Sequence, residues 1–241
     1  MQRMKFRGFD LFHNNQDAAE SMVRQIEDFP SFFCPVGDRP LIVDCGANIG
    51  VSVLEWKTRW PTAEIICFEP DPYAFEFLQT SVDKNDIPGI ECINAAVSDC
   101  EDLVDFFGDL GPGGDARGNS IDPAWADREG NTQTSVESVC LSSYIAGRDV
   151  SFLKLDVEGA EQRVLGEIAD HLNRVAAIYV EVHETDASAN RNSLSAVEKI
   201  LANAGFTVEQ EERYSAHSLP EHLDDWREKA GARMTQLLCW R

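Results

Sequence analysis

The chain is poor in positive charge. It carries 21 Lys and Arg against 42 Asp and Glu in 241 residues, a formal net charge of −21. A field of that sign repels phosphate backbones and anionic lipid surfaces, which makes nucleic acid and membrane poor candidates for the main partner. No apolar run approaches the roughly 20 residues that span a bilayer. The opening stretch, MQRMKFRGFDLFHNNQD, is basic but soon polar, and it lacks the apolar core of an export leader. The 7 cysteines are odd in number and contain no C-x-x-C pair. That usage suits reduced thiols rather than a disulfide framework. Together these absences predict a soluble cytoplasmic protein.

What is present is an ordinary globular composition, 43% hydrophobic and 26% charged, enough for one α/β domain with a sizeable core. Ala19, Met22, Val23 and Ile26 recur at helical spacing before the first apolar run. Strand-like runs then alternate with helical patterns. LIVDC, EIICFE, IECINAAVS, VSFLKLDVE and AAIYVEVHE read as strands, and FTVEQEERY with MTQLLCW as a closing strand pair. Helices are expected over GVSVLEWKTRW, DPYAFEFLQTSVDKN, GAEQRVLGEIADHL and SLSAVEKILANAG. Continuous apolar strands between helices imply a parallel sheet covered on both faces. Residues 1–40 are expected to form a helical extension and residues 41–241 the main domain. Residues 108–131, rich in Gly, Asp, Pro and Asn, break the pattern. They predict a lid over a site, with Trp125 a candidate contact.

Ligands bind outside the carboxyl ends of strands in such a sheet. The first of these ends reads VDCGANIG. Gly46 would let a ligand approach the backbone, and Gly50 would let the helix pack closely. The dinucleotide fingerprint G-x-G-x-x-G does not fit, because its second and third glycines fall on Asn48 and Val51. Asp44, just ahead of the turn, suits a ligand ammonium group better than a pyrophosphate. Alone, the turn is equally the joint that any strand and helix need. Glu69 ends the second strand, where an acid can accept from the two hydroxyls of a ribose. Asp71 followed by Pro72 reads as the helix cap, which leaves Glu69 free. Turn and acid together predict a bound nucleoside without saying which.

The fourth parallel strand places Lys154, Asp156 and Glu158 on one face by alternation, and Glu181 and His183 alternate likewise on the next strand. Lys154 with Glu181 could be a buried structural pair. Asp156, Glu158 and His183 lie nearer the strand ends, where the chemistry is expected.

VDCGANIG, FEPDP, INAAVSD and LKLDVEGAE, in this order and spacing, resemble the FkbM-type family of S-adenosylmethionine-dependent methyltransferases. The resemblance spans roughly Leu41 to Glu184, and DVEGAE after an apolar strand is its most specific part. It implies a seven-stranded class I methyltransferase (Rossmann-like) sheet with helices on both faces, the C-terminal strand pair supplying the antiparallel member. It implies methyl transfer to the hydroxyl of a small molecule, commonly a sugar, a polyketide or another secondary metabolite. By position, Gly46 and Asn48 would line the methionine end of the donor with Asp44 nearby, Glu69 would bind the ribose, and Asn94, Ala95 and Ala96 would lie against the adenine. Family members often carry a Leu-Asp pair before the fourth strand; here Ser142 stands in place of the acid.

For the acceptor, Asp156, Glu158 and Glu181 with His183 could hold a hard divalent ion such as Mg²⁺, or His183 could take the proton itself. Two other readings stay open on the sequence. One is a nicotinamide-dinucleotide oxidoreductase, which the misfit at Asn48 opposes. The other is a non-catalytic nucleoside-binding protein, which has no need of a strand-end acid and histidine.

Overall fold

The computed structural model describes residues 1–211 and 224–241. The first forty residues are not simply helical. They open with an antiparallel hairpin, β1 (Gln2–Phe6) and β2 (Phe9–His13), followed by helix α1 (Gln16–Glu27). The hairpin turns on Arg7 and Gly8, whose φ values are 51° and 90°. Two successive positive φ values are what a two-residue turn of this hand requires, and Asn or Asp is its usual first residue. Arg7 therefore hid the signal. It is held there by buried Glu55, 2.7 Å away.

From β3 (Leu41–Cys45) the predicted alternation appears. Helix α2 (Val51–Arg59), β4 (Glu64–Phe68), α3 (Pro72–Lys84) and β5 (Ile90–Ile93) come first. The run IECINAAVS is not one strand. The chain turns at Asn94, whose side-chain amide donates to the carbonyls of Glu69 (2.8 Å) and Pro70 (3.2 Å). β6 (Ala96–Ser98) then joins a separate three-stranded sheet with β7 (Leu103–Gly108) and β8 (Thr132–Cys140). Residues 109–131 are the connection between β7 and β8.

A short α4 (Ser142–Ile145) leads to β9 (Val150–Leu155), α5 (Glu161–Glu167), a 3-10 turn (Ala169–Arg174) and β10 (Ala177–Glu184). Helix α6 (Leu194–Asn203), β11 (Thr207–Glu211), α7 (Asp224–Ala230) and β12 (Arg233–Trp240) complete the chain. Residues 212–214 of the expected strand FTVEQEERY lie outside the described residues.

The main sheet runs β11-β12-β10-β9-β3-β4-β5. β12 is antiparallel to both neighbours, and the pairs among β10, β9, β3, β4 and β5 are parallel. Strand alternation divides the core into two faces. Val43, Phe68, Leu153, Leu155 and Val180 meet side chains of α4, α5 and α6, such as Val164 and Leu201. Ile42, Ile65, Phe152 and Tyr179 face α1, α2 and α3. There Phe152 stacks on Phe33 at 4.1 Å and meets Trp56 edge-on at 5.3 Å. Such ring pairs add about 0.5–1.5 kcal/mol beyond area burial. They seat the first forty residues in the same core as the sheet.

Candidate active site

The carboxyl ends of β4, β3, β9 and β10 stand side by side. Strand β3 ends in the glycine turn, and the N–H groups of Gly46 and Ala47 both donate to the Phe68 carbonyl (3.0 and 2.9 Å). Gly46 has φ 82°, and a Cβ there would sit 1.9 Å from the Asp156 carbonyl oxygen. No other residue fits without moving β9. Gly50, at φ 94°, has its would-be Cβ 2.9 Å from Leu78, so it sets the packing of α2 on α3.

Asn48 is left-handed, with φ 49°. Its N–H donates to one oxygen of Glu69 (2.8 Å), and the N–H of Asp71 donates to the other (2.8 Å). Glu69 thereby ties the turn to the start of α3, with lone pairs left on both oxygens. Asp71 caps α3, accepting from the N–H groups of Tyr73 and Ala74. Burial pushes the Glu69 carboxyl up to about 8, against the pull of its N–H donors.

A cavity of about 800 Å³ opens here. Gly46, Asn48, Glu69, Ala95 and Ala96 line one part of it, and Lys154, Asp156, Glu158 and Glu181 another. Five of the residues singled out in the sequence are not in its wall, among them Trp125, which is fully buried beneath it. Asp44 is fully buried behind the turn, its oxygens on the Trp56 indole N–H (2.8 Å) and the Lys154 ammonium (3.5 Å). Gly50 packs helices, Asn94 braces the β4 end, and His183 is buried behind the acids. The Asp44 carboxylate is therefore committed inward, to Lys154, and not to a ligand ammonium.

Lys154 pairs with Asp156 (3.0 Å) as well as Asp44, in place of the expected Glu181. Burial works against its charge, but these two acids hold its pKa above the ordinary lysine value. Glu181 instead accepts from the Tyr179 hydroxyl (2.8 Å) and the Gln236 amide (3.0 Å). Burial also raises Asp156, to about 7; Lys154 opposes this, and Glu181 and Glu158 add to it. Asp156, Glu158 and His183 do come together, with one ligand-type atom from each lying within 4.8 Å of the others. Burial alone would lower the His183 pKa. Glu158, Glu161 and Glu181 outweigh it and raise that pKa well above the ordinary histidine value.

Sequence reasoning missed the residues that hold His183. Glu161, fully buried at the start of α5, sits 2.9 Å from Nδ1 of the imidazole and accepts from the Gly159 N–H (3.0 Å). Asn192 donates to Glu161 (2.6 Å) and to the His183 carbonyl (2.7 Å). The signal for Glu161 was present as the last letter of DVEGAE, while Asn192 stands in a polar loop with nothing to mark it. Loop 109–131 lies against the same acids. The Trp125 indole N–H donates to Glu158 (2.6 Å), and the Gly118 N–H donates to its other oxygen (3.2 Å). Asn119 donates to Asp71 (2.9 Å).

Residues 44–208 match the model of the methyltransferase FkbM domain. The chain belongs to the FkbM-type family of S-adenosylmethionine-dependent methyltransferases. Its relatives are distant but cover most of it. The 31-O-demethyl-FK506 methyltransferase FkbM of Streptomyces tacrolimicus is 29% identical over 237 residues, spanning 85% of this chain and 88% of its own. Methyltransferase 1 of Beauveria bassiana is 26% identical over 72% of this chain and 75% of its own. The 2-O-methyltransferase NoeI of Sinorhizobium fredii is 27% identical over 67% and 71%. The FkbM match begins at Asp44, the residue that anchors the glycine turn to Lys154 and Trp56. Among the described residues no helix is long and apolar enough to cross a membrane.

Proposed function

We propose that this FkbM-family protein transfers the methyl group of S-adenosylmethionine to a hydroxyl oxygen of a small molecule, a sugar, polyketide or other secondary metabolite. One observation carries the reading: the glycine turn with Glu69 and the acid cluster with Asp156 open on the same cavity. The names of two relatives, a 31-O-demethyl-FK506 methyltransferase and a 2-O-methyltransferase, fit an oxygen acceptor.

In this reading Gly46 and Asn48 border the methionine part of the donor. Glu69 accepts from the ribose hydroxyls, and Ala95 and Ala96 admit the flat adenine. The donor is already activated, so the protein chiefly supplies alignment and exclusion of water. The acceptor oxygen forms a bond to the methyl carbon as the sulfur–methyl bond breaks, and that electron pair returns to sulfur. The acceptor proton passes to a group of the Asp156 cluster or to solvent. Asp156, at about 7, is poised to take it near neutral pH. Loop 109–131 covers this end of the cavity and acts as the lid.

A screen of hydroxylated metabolites with methyl-labelled donor tests the proposal. Label should pass to the oxygen of at least one sugar or polyketide acceptor, with S-adenosylhomocysteine formed in equal amount. Label on nitrogen or carbon of the acceptor, or donor bound without turnover across the panel, would contradict it.

A further inference from the structure

Nε2 of His183 is buried and has no hydrogen-bond partner among the described residues. Orphaned buried polar atoms are rare, and one at a site points to a missing ligand. Carboxylate oxygens converge on it from Glu158 (3.3 Å), Glu181 (3.5 Å) and Asp156 (4.0 Å). The opposite nitrogen, Nδ1, is committed to Glu161 at 2.9 Å. With the Nδ1 proton donated to Glu161, Nε2 is the nitrogen that faces the cluster, and its lone pair is available to a cation once the second proton, which the nearby acids favour, has left. That is the tautomer and orientation of a metal-ligating histidine held by a carboxylate behind it.

The supply of positive charge is uneven. Lys154 serves Asp44 and Asp156. Glu158 and Glu181, beside Nε2, have no direct lysine or arginine salt bridge among the described residues and feel Arg128 and Lys154 only from further off. Two carboxylates and one imidazole suit an oxygen-seeking divalent ion such as Mg²⁺ or Mn²⁺ better than a thiophilic one. The Glu158 oxygen nearest Nε2 is Oε2, and it is also the oxygen that accepts the Trp125 indole N–H at 2.6 Å. The Trp125 ring in turn packs edge-on against the His183 ring, 4.7 Å between centroids.

We propose that Asp156, Glu158 and Nε2 of His183 form a divalent-cation site, and that the ion takes Glu158 Oε2 from Trp125, so that loading the site releases the indole latch of loop 109–131. The proposal rests on the methyl-transfer reading of the cavity only for its purpose. A divalent ion there would draw an acceptor hydroxyl to this end of the cavity and lower its pKa. The binding itself is independent of that reading. Glu161 and Asn192 hold the imidazole in place, and Trp125 closes the site while no ion is present.

The test is a titration of the purified protein with Mn²⁺, followed by loss of the free-ion electron paramagnetic resonance signal and by tryptophan emission. Wild type should take up one Mn²⁺ per chain, displaceable by Mg²⁺, with a change in emission. His183→Ala and Glu158→Gln should each weaken uptake by about 10–100-fold. Trp125→Phe removes the competitor for Glu158, so it should bind Mn²⁺ several-fold tighter and lose most of the emission change. No uptake by wild type, or equal uptake by His183→Ala and Glu158→Gln, would overturn the site. Unchanged or weaker uptake by Trp125→Phe would overturn the latch. S-adenosylhomocysteine titrated into the same samples separates the two proposals. Its binding shows that the variants are folded. Mn²⁺ uptake without it in wild type would leave the cation site standing and remove the donor reading.

Discussion

Nδ1 of His183 lies 2.9 Å from Oε1 of Glu161, and neither side chain has any solvent exposure. Two ionisable groups so placed are costly unless each is fully paired. Glu161 is: Gly159, Asn192 and His183 all reach its oxygens. The arrangement fixes the imidazole from behind and leaves its other nitrogen facing the cavity acids. Glu161 acts through His183, so it is a positioning residue. Glu161→Gln should lower kcat by about 10–100-fold while the dissociation constant for S-adenosylhomocysteine stays within about twofold. Recovery of kcat by Glu161→Asp, which keeps the carboxylate, would support that role, whereas a donor affinity that falls in step with kcat would mark a role in folding alone.

Donor affinity should depend on Glu69 and on pH together. Ribose hydroxyls donate to an ionised carboxylate, so Glu69→Ala should cost about 1.5–3 kcal/mol of donor binding. In the free protein burial holds this carboxyl at about 8, above its usual 4.5. A raised pKa means that the folded chain keeps a proton which the unfolded chain has released between those values. The stability gained by keeping Glu69 neutral is complete below about pH 4.5 and is lost as pH climbs to about 8. Donor binding ionises the group and expels that proton. Affinity should therefore rise with pH, by up to about tenfold per unit, and level off above about pH 8. Isothermal titration in buffers of different ionisation enthalpy reads the released proton directly. A flat profile would remove Glu69 from the ribose.

Gly46→Ala should be far more damaging than its size suggests. The added Cβ meets the Asp156 carbonyl at 1.9 Å, and φ 82° is itself strained for alanine. The turn and the β9 end must part. Loss of donor binding, with melting lowered by several degrees, is the expected outcome by calorimetry. A variant that binds donor normally would show that β3 and β9 are not locked together at this point.

Loop 109–131 should change its exposure to protease when the cavity fills. Arg117 and Arg128 offer tryptic sites within it, and its anchors are Trp125 and Gly118 on Glu158 and Asn119 on Asp71. Trp125→Ala should speed cleavage in the free protein. Donor and acceptor together should slow cleavage of wild type. Equal rates with and without both ligands would count against a lid.

Most of this architecture was legible because β3, β4, β9 and β10 are continuous apolar runs, and alternation along LKLDVEG correctly set Lys154 and Asp156 opposite Leu153 and Leu155. What escaped was decided by contacts distant in sequence. Arg7 in a positive-φ turn answers to Glu55. The break after β5 answers to Asn94 bonding across to the β4 end. Asp44 looked like a ligand group by its place ahead of the turn, yet Lys154 and Trp56 claim it from behind, and no periodicity reports that. Strand β8 is short in apolar content because much of its surface is exposed, so the partner of β7 across the loop went unread and the hairpin was concealed.

The central claim is that the glycine turn and Glu69 hold S-adenosylmethionine. Isothermal titration of wild type with S-adenosylhomocysteine, and in parallel with NAD, tests it most directly. One S-adenosylhomocysteine should bind per chain, more weakly in Glu69→Ala, with no heat from NAD. Binding of NAD in preference, or no binding of S-adenosylhomocysteine by folded wild type, would contradict it.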